Sequence, residues 1–153
     1  MIARLIPATG AAWFSAALVL MSCAVLSARA ADLKFQVQLV WATDDPKPPE
    51  GKNYLPVDPE TRNRLKALKW RNFFEVRRID FSVAPGAARK VAISEKCEMD
   101  LKDLGNSVVE VVVIGKGKEV ARVKQALPKG EILVPGGNAP NETAWLAILK
   151  RVE

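Results

Sequence analysis

From Leu33 to the end of the chain, apolar and polar residues alternate with a period of two, and short clusters of proline, glycine, asparagine and aspartate interrupt the alternation. That period places every second side chain on one face of an extended strand, so a chain patterned this way folds as sheets that each bury one face. Leu33, Phe35, Val37, Leu39 and Trp41 form the first such row, alternating with Lys34, Gln36, Gln38 and Val40. Asp44 to Pro56 carries Pro46, Pro48, Pro49, Gly51 and Pro56 and lacks a continuous row of backbone donors, which predicts a long loop. Asp58-Pro59-Glu60 then reads as a helix start, with a capping aspartate, a proline suited to the first turn and an acid at the positive end of the dipole. The helix is predicted to reach about Leu68.

Period two returns at Trp70. Trp70, Asn72, Phe74 and Val76 share one parity and Ile79, Phe81 and Val83 the other, which predicts a β-bulge at Arg77-Arg78. A turn at Ala84-Pro85-Gly86-Ala87 leads to a strand with Val91 and Ile93 inward, and Cys97, Met99 and Leu101 form the inward row of the next. After the turn at Leu104 to Ser107, Val108 to Ile114 is β-branched throughout except for Glu110, which predicts a central strand covered on both faces. Gly115-Lys116-Gly117 is a hairpin signal that returns the chain over Lys118 to Ala126. A strand at Glu131 to Val134, a loop at Pro135 to Asn141 and a last strand from Thr143 to Val152 follow. About eight short strands and one helix predict an all-β domain, an antiparallel β-sandwich or open barrel.

The first thirty residues stand apart. Arg4 lies in a short basic start, Gly10 to Ala28 carries no charge, and Ala28-Arg29-Ala30 precedes Ala31, the layout of a secretory signal peptide. The expected division is therefore a signal at 1–30 and a single exported domain at 31–153, periplasmic or extracellular. Leu20-Met21-Ser22-Cys23 offers a second processing site that would leave a lipid anchor, and an uncleaved segment would tether the domain to the membrane. Methionine is unusual before a lipidated cysteine and the apolar run continues past Cys23, so cleavage after Ala30 fits best. Removing Arg4 and Arg29 lowers the net charge from +6 to +4 and leaves about 120 residues. That size supports one core. Cys97 then remains as the one cysteine, so no internal disulfide holds the domain together.

Histidine is absent. Its absence removes Ser-His-Asp and Cys-His catalysis, histidine zinc sites and the two-histidine iron triad together. Ser82, Ser94 and Ser107 have no lysine three residues on, so a Ser-Lys nucleophile has no carrier. Cys97 alternates with Met99 and Leu101 and reads as a buried, inert thiol. Glu98 and Asp100 share a strand face about 7 Å apart, a separation usable by a glycosidase pair or a cation. Lys96 and Lys102 share that face, which favours a solvated strand of mixed charge. Asp44-Asp45 lacks the calcium-loop pattern and reads as a turn cap, and Gly115-Lys116-Gly117 precedes a strand and not a phosphate-binding helix. Asn141-Glu142-Thr143 fits a glycosylation acceptor, a frequent tripeptide that matters only in a eukaryotic secretory pathway. No cofactor and no metal site is expected.

One segment has binding character. Arg62, Arg64, Lys66, Lys69, Arg71, Arg77 and Arg78 face the single acid Glu75, with Trp70, Phe73 and Phe74 interleaved. Cations beside aromatic rings suit an anionic partner. The binding residues expected are Arg62, Arg64, Lys66, Lys69, Arg71, Phe73, Arg77 and Arg78. Export argues against nucleic acid and toward an anionic envelope polymer, a lipid headgroup or an acidic protein surface, with a membrane involved only through Cys23 or an uncleaved signal. The opposing interpretation makes the same cations a solvated face and the aromatic residues core. Phe73 separates the two, because its parity is opposite to that of Phe74. The expected function is a non-catalytic binding or assembly module of the bacterial cell envelope. A carboxylate enzyme or enzyme inhibitor using Glu98 and Asp100, or a purely structural envelope subunit, is the alternative.

Overall fold

A computed structural model describes residues 30–139 and 142–153. Residues 1–29 of the expected signal peptide, and Asn141 of the acceptor tripeptide, lie outside the described residues. The strands are β1 (Leu33–Thr43), β2 (Leu55–Pro56), β3 (Asn72–Val83), β4 (Ala88–Ser94), β5 (Cys97–Asp103), β6 (Val108–Gly115), β7 (Lys118–Ala126), β8 (Ile132–Leu133), β9 (Gly136–Asn138) and β10 (Ala144–Arg151). The helix α1 (Pro59–Leu65) lies between β2 and β3. The fold is all-β and antiparallel. The larger sheet runs β2-β3-β1-β10-β8, with β9 also on β10, and the smaller runs β4-β5-β6-β7.

The two sheets pack face to face. Phe35, Val37 and Leu39 of β1 meet Ile93, Met99, Leu101, Val109, Val111 and Val113 of the smaller sheet, and Phe81, Val83 and Leu149 complete this main core. The row predicted for β1 therefore points where its parity requires. Beyond the main core, Trp41 on that face meets Trp145 across the strands, ring centroids 4.6 Å apart and nearly edge to face.

The other face of the larger sheet has its own cover. Val40, Ala42, Phe73, Leu146 and Ile148 point that way and pack against Val57 and Leu65, with Trp70 at the margin. This second cluster explains why Phe73 and Phe74 are adjacent and both buried. Phe73 faces the helix side, and Phe74 pairs with Trp41 on the opposite side. Phe73 is thus core, the outcome that removes it from any exposed surface.

Four local expectations need correction. The helix ends at Leu65, with Lys66 as its C-cap, because Leu68 N–H already bonds the Leu65 carbonyl in a tightened last turn. The bulge falls at Val76, since Leu39 lies opposite Arg77 while Val40 lies opposite Glu75. Arg77 and Arg78 therefore occupy regular ladder positions and point to opposite faces. Strand β6 is covered on one face only. Val109, Val111 and Val113 are buried, whereas Val108, Glu110, Val112 and Ile114 lie half-buried on the open outer face. Finally, two short strands form where loops were expected: β2 on the bulged stretch of β3, and β9 on β10.

Sequence and backbone agree in the turns. Lys116 and Gly117 both take positive φ, 50° and 75°, the geometry of a two-residue hairpin with right-handed strand twist. Buried Asp103 accepts from the Gly86 and Gly105 N–H groups at 2.8 and 3.2 Å, tying the β3–β4 turn to the β5–β6 turn. Strand β9 is glycine for a packing reason, because a Cβ on Gly136 would come within 2.7 Å of Leu146 Cδ2.

Candidate functional site

The basic segment is divided by the fold. At the helix start, Asp58 caps the Thr61 N–H at 2.8 Å and Pro59 occupies the first turn, while Leu65 anchors the helix in the second core cluster. Arg62 and Lys66, one turn apart, are left on the exposed side. The chain then turns through Lys69 to Arg71. Lys69 Nζ lies 5.1 Å from the centre of the Trp70 ring, whose Nε1–H donates to the Glu142 carbonyl at 2.6 Å. Arg71 N–H donates to Asp44 Oδ1, which fixes this turn against the end of β1. Asp44 is thus a loop clamp and not part of an acidic site.

Arg62, Lys66, Lys69 and Arg71 are exposed, and among the described residues none of the four makes an ion pair. The other four expected binding residues are engaged or placed elsewhere. Arg64 reaches Glu131 at 3.4 Å and the Gly130 carbonyl at 3.3 Å. Arg78 pairs with Glu75 at 2.6 Å and Asp58 at 3.2 Å. Arg77 lies on the opposite face and donates to the Ile93 carbonyl at 3.5 Å. Phe73 is in the second core cluster. The surface that stays accessible is the helix flank and turn from Arg62 to Arg71.

Beside it the fold builds a polar cleft of about 120 Å³, lined by Gln36, Gln38, Asp58, Glu60, Thr61 and Arg64, and by Arg78, Ile132, Ile148 and Lys150. Gln38, buried, donates to Asp58 at 3.3 Å and to Glu75 at 3.1 Å. Lys150 pairs with Glu60 at 2.9 Å. Burial alone pushes the Asp58 carboxyl up, but the Thr61 amide and hydroxyl, the Gln38 amide and Arg78 together hold it down at about 2. A carboxylate held ionised in this way neither gives nor takes a proton near neutral pH. The hydrogen bond to Glu75 raises the Arg78 guanidinium above its ordinary value, outweighing the lowering by burial, and the charges of Glu75 and Asp58 act in the same raising direction. Sequence reasoning missed this cleft, because Gln38, Asp58, Glu75 and Lys150 come together only through β1 pairing with β3 and β10. The one signal was the uncharged pair Gln36 and Gln38 on the polar row of the first strand.

Glu98 and Asp100 lie on the outer face of the smaller sheet as their parity requires, with Lys90 4.0 Å from Glu98. Asp100 lines a shallow depression with Glu110 and Glu119, of about 310 Å³, in which Arg122 pairs with Glu110 at 3.1 Å and Glu119 at 2.8 Å. Asp44 and Asp45 lie in the loop that follows β1 of the larger sheet and do not line this depression. Among the described residues no group of three acids or cysteines is placed to hold a metal ion.

Cys97 is half-buried at the end of β5, packed against the main core and not sealed inside it. Burial raises its thiol and Glu98 raises it further, so little thiolate is present at neutral pH. A bulky alkylating reagent is expected to modify the native protein roughly tenfold more slowly than the denatured one, as followed by intact mass. Equal rates would show that neither burial nor Glu98 protects the thiol.

Compared with family models, with curated proteins and with solved structures, the chain finds no match.

Proposed function

We propose that this protein is an exported, non-catalytic binding or assembly module of the cell envelope, and that Arg62, Lys66, Lys69 and Arg71 hold an anionic partner. The observation that carries this reading is the division of the basic segment. The fold engages Arg64 and Arg78 with acids of its own and leaves these four cations exposed, without an acidic partner among the described residues, beside the half-buried Trp70. Exposed cations of one sign on a small domain attract a polyanion over roughly 10 Å at 0.1 M salt. The ionised, fully bonded Asp58 in the neighbouring cleft supports a binding role over acid–base chemistry. The signal-like order of Arg4, an uncharged run and Ala28-Arg29-Ala30 supports export.

The test uses protein purified from the cells that export it. Its intact mass is expected to begin at Ala31; a lipid-bearing Cys23 at the start would overturn the soluble form. Binding is measured to poly-glutamate and to phosphatidylglycerol vesicles over a salt series. Reversing the four cations (Arg62→Glu, Lys66→Glu, Lys69→Glu, Arg71→Glu) is expected to cut binding at least about tenfold and flatten its salt dependence, with little change in melting temperature. Unchanged binding by this variant would make the surface a solvated face.

A further inference from the structure

The margins of the two sheets are not closed equally. On one side, where β3 of the larger sheet and β4 of the smaller lie side by side, Arg77 donates to the Ile93 carbonyl and Arg89 donates to the Ser82 carbonyl at 2.9 Å, each bridging to the other strand. On the larger sheet's other side, β8 and β9 divide the outer edge of β10 between them. The smaller sheet ends on β4, whose margin carries the arginine bridges to β3, and on β7, and among the described residues no strand lies beyond either. The nine residues of β7 present one row of backbone groups without a ladder partner.

The side chains along that edge specify what pairs with it. Ala121 and Val123 point inward and lie half-buried on the rim of the main core, so the apolar interior is incompletely covered at this margin. On the outer face, Arg122 is occupied by Glu110 and Glu119, and Lys124, across the ladder from Glu110, makes no ion pair among the described residues; Lys118, exposed at the start of the strand beyond the bulge, makes none either. The ladder shifts between Val113 and Ile114, which places the extra residue at Val120, 64% exposed, and leaves Ala121 to Ala126 in regular register. Unpaired lysines and a bulge oppose pairing with a second copy, whose β7 would bring the same cations alongside. They favour a strand of opposite charge.

We propose that the edge of β7 over Ala121–Ala126 accepts an extended acidic segment of a partner protein as a fifth strand of the smaller sheet. Backbone hydrogen bonds hold the added strand. Its apolar residues cover Ala121 and Val123, and its acidic residues on the outer face meet Lys124. This surface is separate from the one at Arg62 to Arg71, and either proposal stands if the other fails.

The probe is a hexapeptide of alternating valine and glutamate, added to the isotopically labelled protein while amide hydrogen exchange is followed by NMR. Exchange is expected to slow at β7 and to stay unchanged at the outer edges of β3 and β10. Lys124→Glu, an exposed change that leaves the fold intact, is expected to weaken the peptide about fivefold. A peptide with lysine in place of glutamate, and one N-methylated at alternate residues, are expected not to bind. The proposal is overturned by unchanged exchange at β7, by binding of the N-methylated peptide, or by peptide-induced shifts confined to Arg62 to Arg71. Dimerisation of the free protein through β7 would equally overturn it, because the occupant would then be a second copy. The variant reversed at Arg62, Lys66, Lys69 and Arg71 is expected to keep the protection at β7.

Discussion

Val111→Asp is expected to abolish the folded domain, while Val112→Asp leaves it folded. The two residues are neighbours on β6, but Val111 is fully buried in the main core, and Val112 lies on the outer face between Asp100 and Arg122 of the flanking strands. Placing a carboxylate at position 111 buries a charge that no nearby group pairs. The penalty of several kcal/mol is comparable with a total stability of about 5–15 kcal/mol. At position 112 the carboxylate stays in contact with water, and the loss is confined to strand preference, about 1 kcal/mol. Urea unfolding followed by circular dichroism separates them. Two variants of equal stability would mean that the smaller sheet does not face the larger one through Val109, Val111 and Val113.

Arg78→Glu is expected to lower the melting temperature by several degrees, and Arg77→Glu to change it little. Arg78 is the cation between Glu75 and Asp58, and its reversal gathers three carboxylates around Gln38. Arg77 is exposed and loses one long hydrogen bond, within the roughly 0.5 kcal/mol typical of surface changes. The same cluster sets an acid limb. Asp58 is held at about 2 in the folded protein against an ordinary value of 3.8, so the unfolded chain binds more protons between these values. Stability from Asp58 is therefore complete above pH 3.8 and is lost as pH falls toward 2. In full the displacement corresponds to about 2.5 kcal/mol, and to about 1 kcal/mol once solvent screening of a partly exposed group is allowed for. A melting temperature in the Arg77→Glu variant as low as in Arg78→Glu would show that the two arginines act as a pair.

The alternation carried what depends on one strand at a time. Leu33 to Trp41, Met99 and Leu101 on β5, and the Lys116-Gly117 hairpin are legible because parity and φ preference are local properties. Where a second layer intervenes, parity stops being informative. Phe73 and Phe74 are both apolar because α1 covers one face and the far end of the sandwich face shelters the other, a fact held by residues as distant as Leu65 and Leu146. The bulge was displaced for a related reason: Val76, the extra residue, is itself apolar and so leaves no break in the pattern. Strand β9, Gly-Gly-Asn, has no strand preference and exists because β10 offers an edge and Gly136 fits against Leu146. At the candidate binding surface, composition marked the cations but not their partners. Arg64 is separated from Glu131 by much of the sequence, and only the fold decides which arginines are already occupied.

The pairing of β1 with β10 also fixes an order of events. The centre of the larger sheet is made by the first and the last strands described, in register from Phe35 opposite Arg151 to Ala42 opposite Ala144, with Lys34 closing onto Glu153 at 2.7 Å. A chain emerging N-terminus first cannot complete either hydrophobic cluster until its final strand is free, since Leu149 belongs to one and Ile148 to the other. Local hairpins such as β6–β7 can form early, but the sandwich closes only after β10 is available to pair with β1. The topology thereby keeps the two clusters open until β10 arrives, a timing that no single residue encodes.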